Sequence, residues 1–374
     1  MEFRDLKQQY QLHKSEISRA VQEVLECADF IGGDKVNLLE ERLAKYTGVK
    51  HCITCANGTD ALQLALMTWN IGQGDAVFVP DFTFFASGEA VSFVGATPVF
   101  VDIEEETFNI SPRSLERMIQ YVIKESDLKP RVVIAVDLFG QPVDYIQIRQ
   151  IADKYNLLIL EDAAQGFGGR IGDRRACSFG DIATTSFFPA KPLGCYGDGG
   201  AVFTDQDEWA ELLRSYRMHG KGADKYDNVR IGLNSRLDTI QAAVLLEKLK
   251  FFDDELKKCN QIANEYAGYL NSIVKIPKVE NGMYSSWAQY TICFQTNKER
   301  EAAATVLKNS GIPSAIYYRK PMHLQEAFKE NYFGGRDYAV TKRVCDCCLS
   351  LPMHPYLCKE DVVNISQKII EMRR

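Results

Sequence analysis

The sequence predicts an α/β fold: a mainly parallel central sheet held between helices, followed by a smaller α+β domain. Three observations predict it. Short runs that are apolar throughout alternate with amphipathic segments at helical spacing, the pattern of strands covered on both faces. Polar, glycine-containing turns follow several of these runs, where ligands gather in parallel sheets. Beyond residue 285 shorter strand-like runs mix with helices. The chain has 374 residues, more than one core usually serves, and we divide it into a large domain, 1–250, and a small one, 251–374.

Segment 14–46 reads as helix with a break at Gly32-Gly33. Ile17, Val21, Val24 and Leu25 share a face before the break; Leu38, Leu39, Leu43 and Tyr46 share one after it. His51–Cys55 is a short strand. Asn57-Gly58-Thr59-Asp60 is a turn opening a helix whose apolar face is Ala61, Leu62, Leu64 and Ala65. Ala76–Pro80 is a buried strand, followed by a helix over 86–94. Thr97–Asp102, Val132–Val136 and Leu157–Asp162 are further strands, with helices over 112–124 and 143–155 between them. One long helical stretch spans 238–272. In the tail, Ala288–Phe294 and Ala315–Tyr318 are strand-like, and 299–310 and 359–373 are helical. No repeat or low-complexity segment appears.

Net charge is −6, from 44 basic and 50 acidic residues. No basic cluster marks a nucleic-acid surface. No apolar run approaches the roughly 18 residues of a membrane span, and Met1–Asp5 lacks a signal-like apolar region. The 11 cysteines are odd in number and irregularly spaced, which fits reduced thiols in a cytoplasmic protein. Cys345, Cys347, Cys348 and Cys358 do not have zinc-ligand spacing, so no metal is expected.

Three motifs carry chemistry. Lys191, in Thr184-Thr-Ser-Phe-Phe-Pro-Ala-Lys191-Pro-Leu-Gly194, has small and apolar neighbours, a poor setting for a solvated charge; the alternative is an ordinary loop lysine. Asp162 closes an apolar strand, where it could lie under a cofactor ring or simply cap a following helix. Gly58 and Thr59 enter a helix whose N-terminus favours an anion, although most such turns are only helix starts.

Taken together, with Lys191 standing 29 positions after Asp162, these motifs resemble the DegT/DnrJ/EryC1/StrS family of sugar aminotransferases, a branch of the fold type I pyridoxal-phosphate enzymes. The resemblance runs from Phe3-Arg-Asp-Leu6 to Ser350-Leu-Pro-Met-His354. It implies pyridoxal 5'-phosphate as cofactor (PLP, with the pyridoxamine form, PMP, in the cycle) and Lys191 as Schiff-base lysine and acid/base. It implies Asp162 against the pyridine nitrogen, Gln165 near the ring and its phenolic oxygen, and Ser186, Gly58 and Thr59 around the phosphate. Phe84 or Phe85 is the ring-stacking residue. Asn234 would reach the phosphate in the neighbouring subunit of a homodimer, with Arg236 and His219 at the same shared site.

Ser186–Gly200 and Val229–Ala243 most resemble the branch acting on a UDP-linked 2-acetamido-3-keto glucuronic acid, with glutamate as donor, for cell-surface polysaccharide synthesis (O-antigen or capsule). Arg236 suits a carboxylate, or an interface salt bridge. Many relatives have His-Tyr-Pro where this chain has Tyr317-Tyr318-Arg319, a departure compatible with a keto group at C4, as in a 4-keto-6-deoxy sugar, or with a different second substituent; Arg319 and Lys320 either meet the diphosphate or form a solvated basic loop. His323 and His354 read as structural or rim residues. A PLP- or PMP-dependent sugar dehydratase, a non-catalytic relative and another fold type I chemistry are the rivals. The dehydratases commonly carry histidine in place of Lys191.

Overall fold

The apolar runs become neighbours in one seven-stranded sheet. The computed structural model describes residues 1–224, 226–329, 333 and 337–373. Its strands are β1 (His51–Cys55), β2 (Asp75–Pro80), β3 (Thr97–Val101), β4 (Lys129–Val136), β5 (Leu158–Asp162), β6 (Arg170–Ile171), β7 (Arg174–Arg175), β8 (Ile182–Ser186), β9 (Gly200–Thr204), β10 (Met283–Tyr284), β11 (Tyr290–Cys293) and β12 (Cys348–Leu351). The large sheet has the order β1-β9-β8-β5-β4-β2-β3. β9 runs against both its neighbours; the remaining pairs are parallel.

Alternation within each strand feeds two cores. Ala76 and Phe78 of β2, and Val133 and Ala135 of β4, face one layer of helices. Val77, Val79, Val132 and Ile134 face the other. Both sets are apolar because both faces are covered. The helix Pro112–Glu125 shows how sequence sets a layer. Ser111 caps it, Pro112 opens it, and Leu115, Met118, Ile119 and Val122 form its buried stripe.

Some expectations change. The stretch 238–272 is two helices, Thr239–Leu249 and Phe252–Leu270, broken at Lys250-Phe251, where the Phe251 ring stacks on His13 with centroids 3.5 Å apart. Ala315–Tyr318 is not a strand: only Ala315 bridges to Ser350. β8 and β9 lie in a Thr- and Gly-rich stretch that does not read as strand. Cys345 and Cys348 pack as small apolar groups in the second core, and Cys358 is exposed. Among the described residues no cluster of His, Cys, Asp or Glu is arranged to hold a metal, and no helix is long and apolar enough to cross a membrane.

A third core belongs to the C-terminal part, with Tyr266, Tyr290, Leu307, Leu351 and Ile365 among its members. The helix Phe252–Leu270 serves two cores: Phe252 and Leu256 sit in the first, Cys259 to Leu270 in the third. The chain's beginning is stitched to the same part. The Met353 amide donates to the Phe3 carbonyl at 3.2 Å. His354 Nε2–H donates to the Glu2 carbonyl at 3.2 Å, and its Nδ1 accepts from the Tyr356 amide at 3.3 Å.

Those two bonds require a neutral imidazole, and burial pushes His354 down from 6.5 to about 4. A base depressed by folding contributes stability that is complete above its unfolded value and lost as pH falls through its folded one. Urea unfolding should therefore lose on the order of 3 kcal/mol between about pH 6.5 and 4 through this residue. His354→Gln should flatten that part of the curve. Equal slopes in the two proteins would show that His354 is not the group responsible.

Candidate active site

The carboxyl ends of β1, β2, β4, β5 and β8 lie along one edge of the sheet, and the residues beyond them line a cavity of about 510 Å³. Gly58, Thr59, Phe84, Asp162, Gln165, Ser186, Lys191, Tyr317 and Tyr318 all reach it.

The first corner is the start of the helix Gly58–Thr68. Asn57 Oδ1 accepts from the Asp60 amide at 2.8 Å, while the Gly58 and Thr59 amides precede any possible intrahelical acceptor. A Cβ on Gly58 would stand 2.7 Å from Ser186 Cβ. One on Gly200, which pairs with both Cys55 and Ser186, would stand 2.4 Å from the Asn57 carbonyl oxygen. Two glycines thus let the turn press against Ser186, and amides, hydroxyl and helix dipole converge as an anion site.

The second corner is Asp162. It is buried, and no α-helix follows it; residues 164–168 are turns, so capping a helix is not its role. Its Oδ2 accepts from Ser87 Oγ at 2.9 Å and its Oδ1 from the Ala164 amide at 3.2 Å. Burial raises the carboxyl above its ordinary range, against the pull of those two bonds and of the Lys191 charge. Gln165 is fixed beside it: its Oε1 accepts from the Phe139 amide at 2.7 Å and its Nε2 donates to the Tyr318 hydroxyl at 3.1 Å.

The third corner is Lys191. Its amide donates to the Phe188 carbonyl at 2.8 Å. Burial lowers the pKa of its amine; the Asp162 carboxylate opposes this and the Arg4 guanidinium adds to it. Desolvation of this kind frees a fraction of the amine as a nucleophile.

Of the two aromatic candidates, Phe84 lines the cavity, while Phe85 turns away onto Phe328, centroids 5.0 Å apart. Four expected residues are not brought to this cavity. Arg319 is exposed and pairs with Glu301 at 3.2 Å, because its side chain leaves the turn towards the helix Asn297–Asn309. His219, Asn234 and Arg236 belong to a segment that is anchored at its base and projects at its tip. At the base, Arg217 meets Glu40 at 2.6 Å, and Ser235 Oγ accepts from the Ala56 amide at 3.0 Å. At the tip, Tyr226 and Ile231 are 86% and 90% exposed.

Sequence reasoning missed Ser87, in the first turn of the helix Ala86–Phe93, and Thr83, whose hydroxyl lies 3.1 Å from that of Ser87. It also missed Phe188, Asp198 and Gln289 in the cavity wall. Gln289 was hidden in a run read as strand, and its buried Oε1 has no partner among the described residues. The donor set suits a flat, phosphate-bearing aldehyde with a basic ring nitrogen: anion site, carboxylate and amine each find a counterpart in pyridoxal phosphate.

Comparison with known proteins agrees. The chain is 42% identical over 358 residues to UDP-2-acetamido-2-deoxy-3-oxo-D-glucuronate aminotransferase of Pseudomonas aeruginosa, covering 96% of each chain. A crystal structure of a DegT DnrJ EryC1 StrS aminotransferase from Brucella abortus superposes with a TM-score of 0.97 at 47% identity, covering 100% of this chain and 99% of that one. NtdA from Bacillus subtilis, with bound PMP, superposes with a TM-score of 0.87 at 28% identity, covering 96% and 82%. Residues 11–370 match a family model, and the chain belongs to the DegT/DnrJ/EryC1/StrS aminotransferase family.

Proposed function

We propose that this protein is a PLP-dependent aminotransferase that places an amino group on a nucleotide-linked keto sugar, with Lys191 as its Schiff-base lysine. The observation that carries this is the meeting, in one cavity, of the Gly58–Thr59 helix start with Ser186, of Asp162, and of Lys191. PLP, when bound, supplies an aldehyde that condenses with amines and a ring that withdraws electrons from the adjacent C–H bond.

The chain's residues do the rest. The Gly58 and Thr59 amides and the Ser186 hydroxyl hold the phosphate. Asp162 would keep the ring nitrogen protonated, and that positive charge would in turn offset the burial that raises the carboxyl's own pKa. Phe84 would stack on the ring, and Gln165, held by Phe139 and Tyr318, would lie near it. Lys191 Nζ would take up the proton from the donor's C–H bond and deliver it to the cofactor carbon that gains the amino group.

The substrate we infer is a UDP-linked 2-acetamido-3-oxo sugar or sugar acid, with glutamate as donor, in cell-surface polysaccharide synthesis in the cytoplasm. The Ser186–Gly200 and Val229–Ala243 motifs and the Pseudomonas relative support it. The Tyr317-Tyr318-Arg319 departure favours a second reading, a 4-keto-6-deoxy sugar. We also infer a homodimer with shared sites. Val229 and Ile231 are apolar and exposed on the segment carrying His219, Asn234 and Arg236, so a second copy of the chain would cover them and receive those groups.

Wild-type protein with PLP should absorb near roughly 410–430 nm and shift to about 330 nm with glutamate. Lys191→Ala should lose the band and more than about 10³-fold in turnover; retention of both would remove Lys191 from the mechanism. UDP- and dTDP-keto sugars that restore the band identify the acceptor. For the dimer, Lys191→Ala and Asn234→Ala chains, each inactive alone, should recover about a quarter of wild-type activity when unfolded and refolded together, since half the dimers then hold one intact site. No recovery would mean that Asn234 serves its own chain.

A further inference from the structure

The loop that carries Lys191 is held from behind by two cations. Arg4 Nη2 donates to the Lys191 carbonyl at 2.9 Å and to the Pro192 carbonyl at 3.3 Å. Lys248 Nζ, on a lysine only 2% exposed, donates to the Gly194 carbonyl at 2.7 Å and sits 4.2 Å from the centre of the Tyr196 ring. Three carbonyls within four residues therefore end on fixed positive charges. A surface loop needs no such arrangement, since water would satisfy those oxygens.

Arg4 is itself delivered by a built segment. Phe3 and Glu2 are tied through their carbonyls to Met353 and His354, and the Phe3 ring meets Tyr317, a cavity residue, edge-on at 6.1 Å. Behind Arg4 stands Glu255. It accepts from Gln9 Nε2 at 3.1 and 2.9 Å and from the Tyr356 hydroxyl, and it draws on the charges of both Arg4 and Lys248. The charged groups facing the Lys191 amine are thus Arg4 from behind and Asp162 from β5, with Asp198 in the cavity wall.

We propose that Arg4 is a positioning residue for Lys191, a guanidinium that fixes the lysine's backbone by its carbonyl and sets a positive charge behind its amine. Its contact is to the main chain, so it acts through Lys191 without touching substrate or cofactor. Both bonds come from one guanidinium nitrogen, whose direction is fixed by the planar group, whereas a lysine ammonium rotates on a flexible stem. Its charge makes the protonated amine less favourable, in the same direction as burial. The inference rests on Lys191 being the reactive lysine.

The test uses the full chain loaded with cofactor and converted by glutamate to the PMP form, which leaves the Lys191 amine free. Acetylation of Lys191 by acetic anhydride is followed against pH by peptide mass mapping. In Arg4→Gln the Lys191 midpoint should move to higher pH, and kcat should fall by about 10-fold or more with KM changed much less. Arg4→Lys should keep the wild-type midpoint and lose part of kcat. A wild-type midpoint and kcat in Arg4→Gln, or an Arg4→Lys as impaired as Arg4→Gln in both, would overturn the proposal. Should Arg4→Gln fail to fold by circular dichroism, Arg4→Lys decides alone: an unchanged kcat or a shifted midpoint overturns it. Failure of the Lys191 reading shows separately, as a Lys191→Ala protein that keeps its visible band.

Discussion

The site depends on how closely the turn Asn57–Thr59 can approach the end of β8. β1 and β8 are parallel to one another but never pair, because β9 runs between them in the opposite sense. That inserted strand begins, at Gly200, where both neighbours end. With no side chain there, the Asn57 carbonyl packs directly against the strand, and with none at Gly58 the helix start closes on Ser186. A methyl at either position would drive the anion site away from the strand ends holding Asp162. The spacing of the anion site from Asp162 is thus set by close contacts at two glycines.

Around that frame the charges are arranged to be costly unless used. Asp162 and Lys191 are each shifted by burial towards their neutral forms; Asp162 offsets this at Lys191, while Ser87, the Ala164 amide and then Lys191 offset it at Asp162. A buried charge needs a partner, and a ring with a cationic nitrogen would supply one to Asp162. Glu40 shows the opposite use of a buried carboxylate. It is saturated by Arg217, Arg214 and Thr54 and holds the base of the segment that carries Asn234.

Much of this was legible in the sequence. β1 to β5 announce themselves as uniformly apolar runs, and the strand-end positions of Gly58, Asp162 and the Phe84 loop follow from them. Lys191 stood out by its neighbours. What was not legible has physical causes. β8 and β9 owe their strand state to pairing with flanking strands, a tertiary effect that overrides their Thr- and Gly-rich composition. Tyr317-Tyr318 looked like strand, but Gln165 draws the Tyr318 hydroxyl into the cavity. Arg319 looked like a phosphate ligand, yet Glu301 lies within its reach. Arg4 is 187 positions from the carbonyl it holds, and no local pattern encodes such a contact.

The helix Phe252–Leu270 has a mechanical consequence. One unbroken rod is embedded at its start in the core of the large sheet and along the rest of its length in the C-terminal core. A hinge needs a few residues free to absorb a change in backbone angles, and the middle of a packed helix offers none. This helix therefore offers no hinge between the two cores along its own length. Admitting a bulky sugar nucleotide falls to parts that can flex without it: the exposed rings of Phe84 and Phe188 at the rim, and the Tyr317–Tyr318 turn opposite. In this architecture the door is made of side chains, hung beside a rod that has no joint of its own.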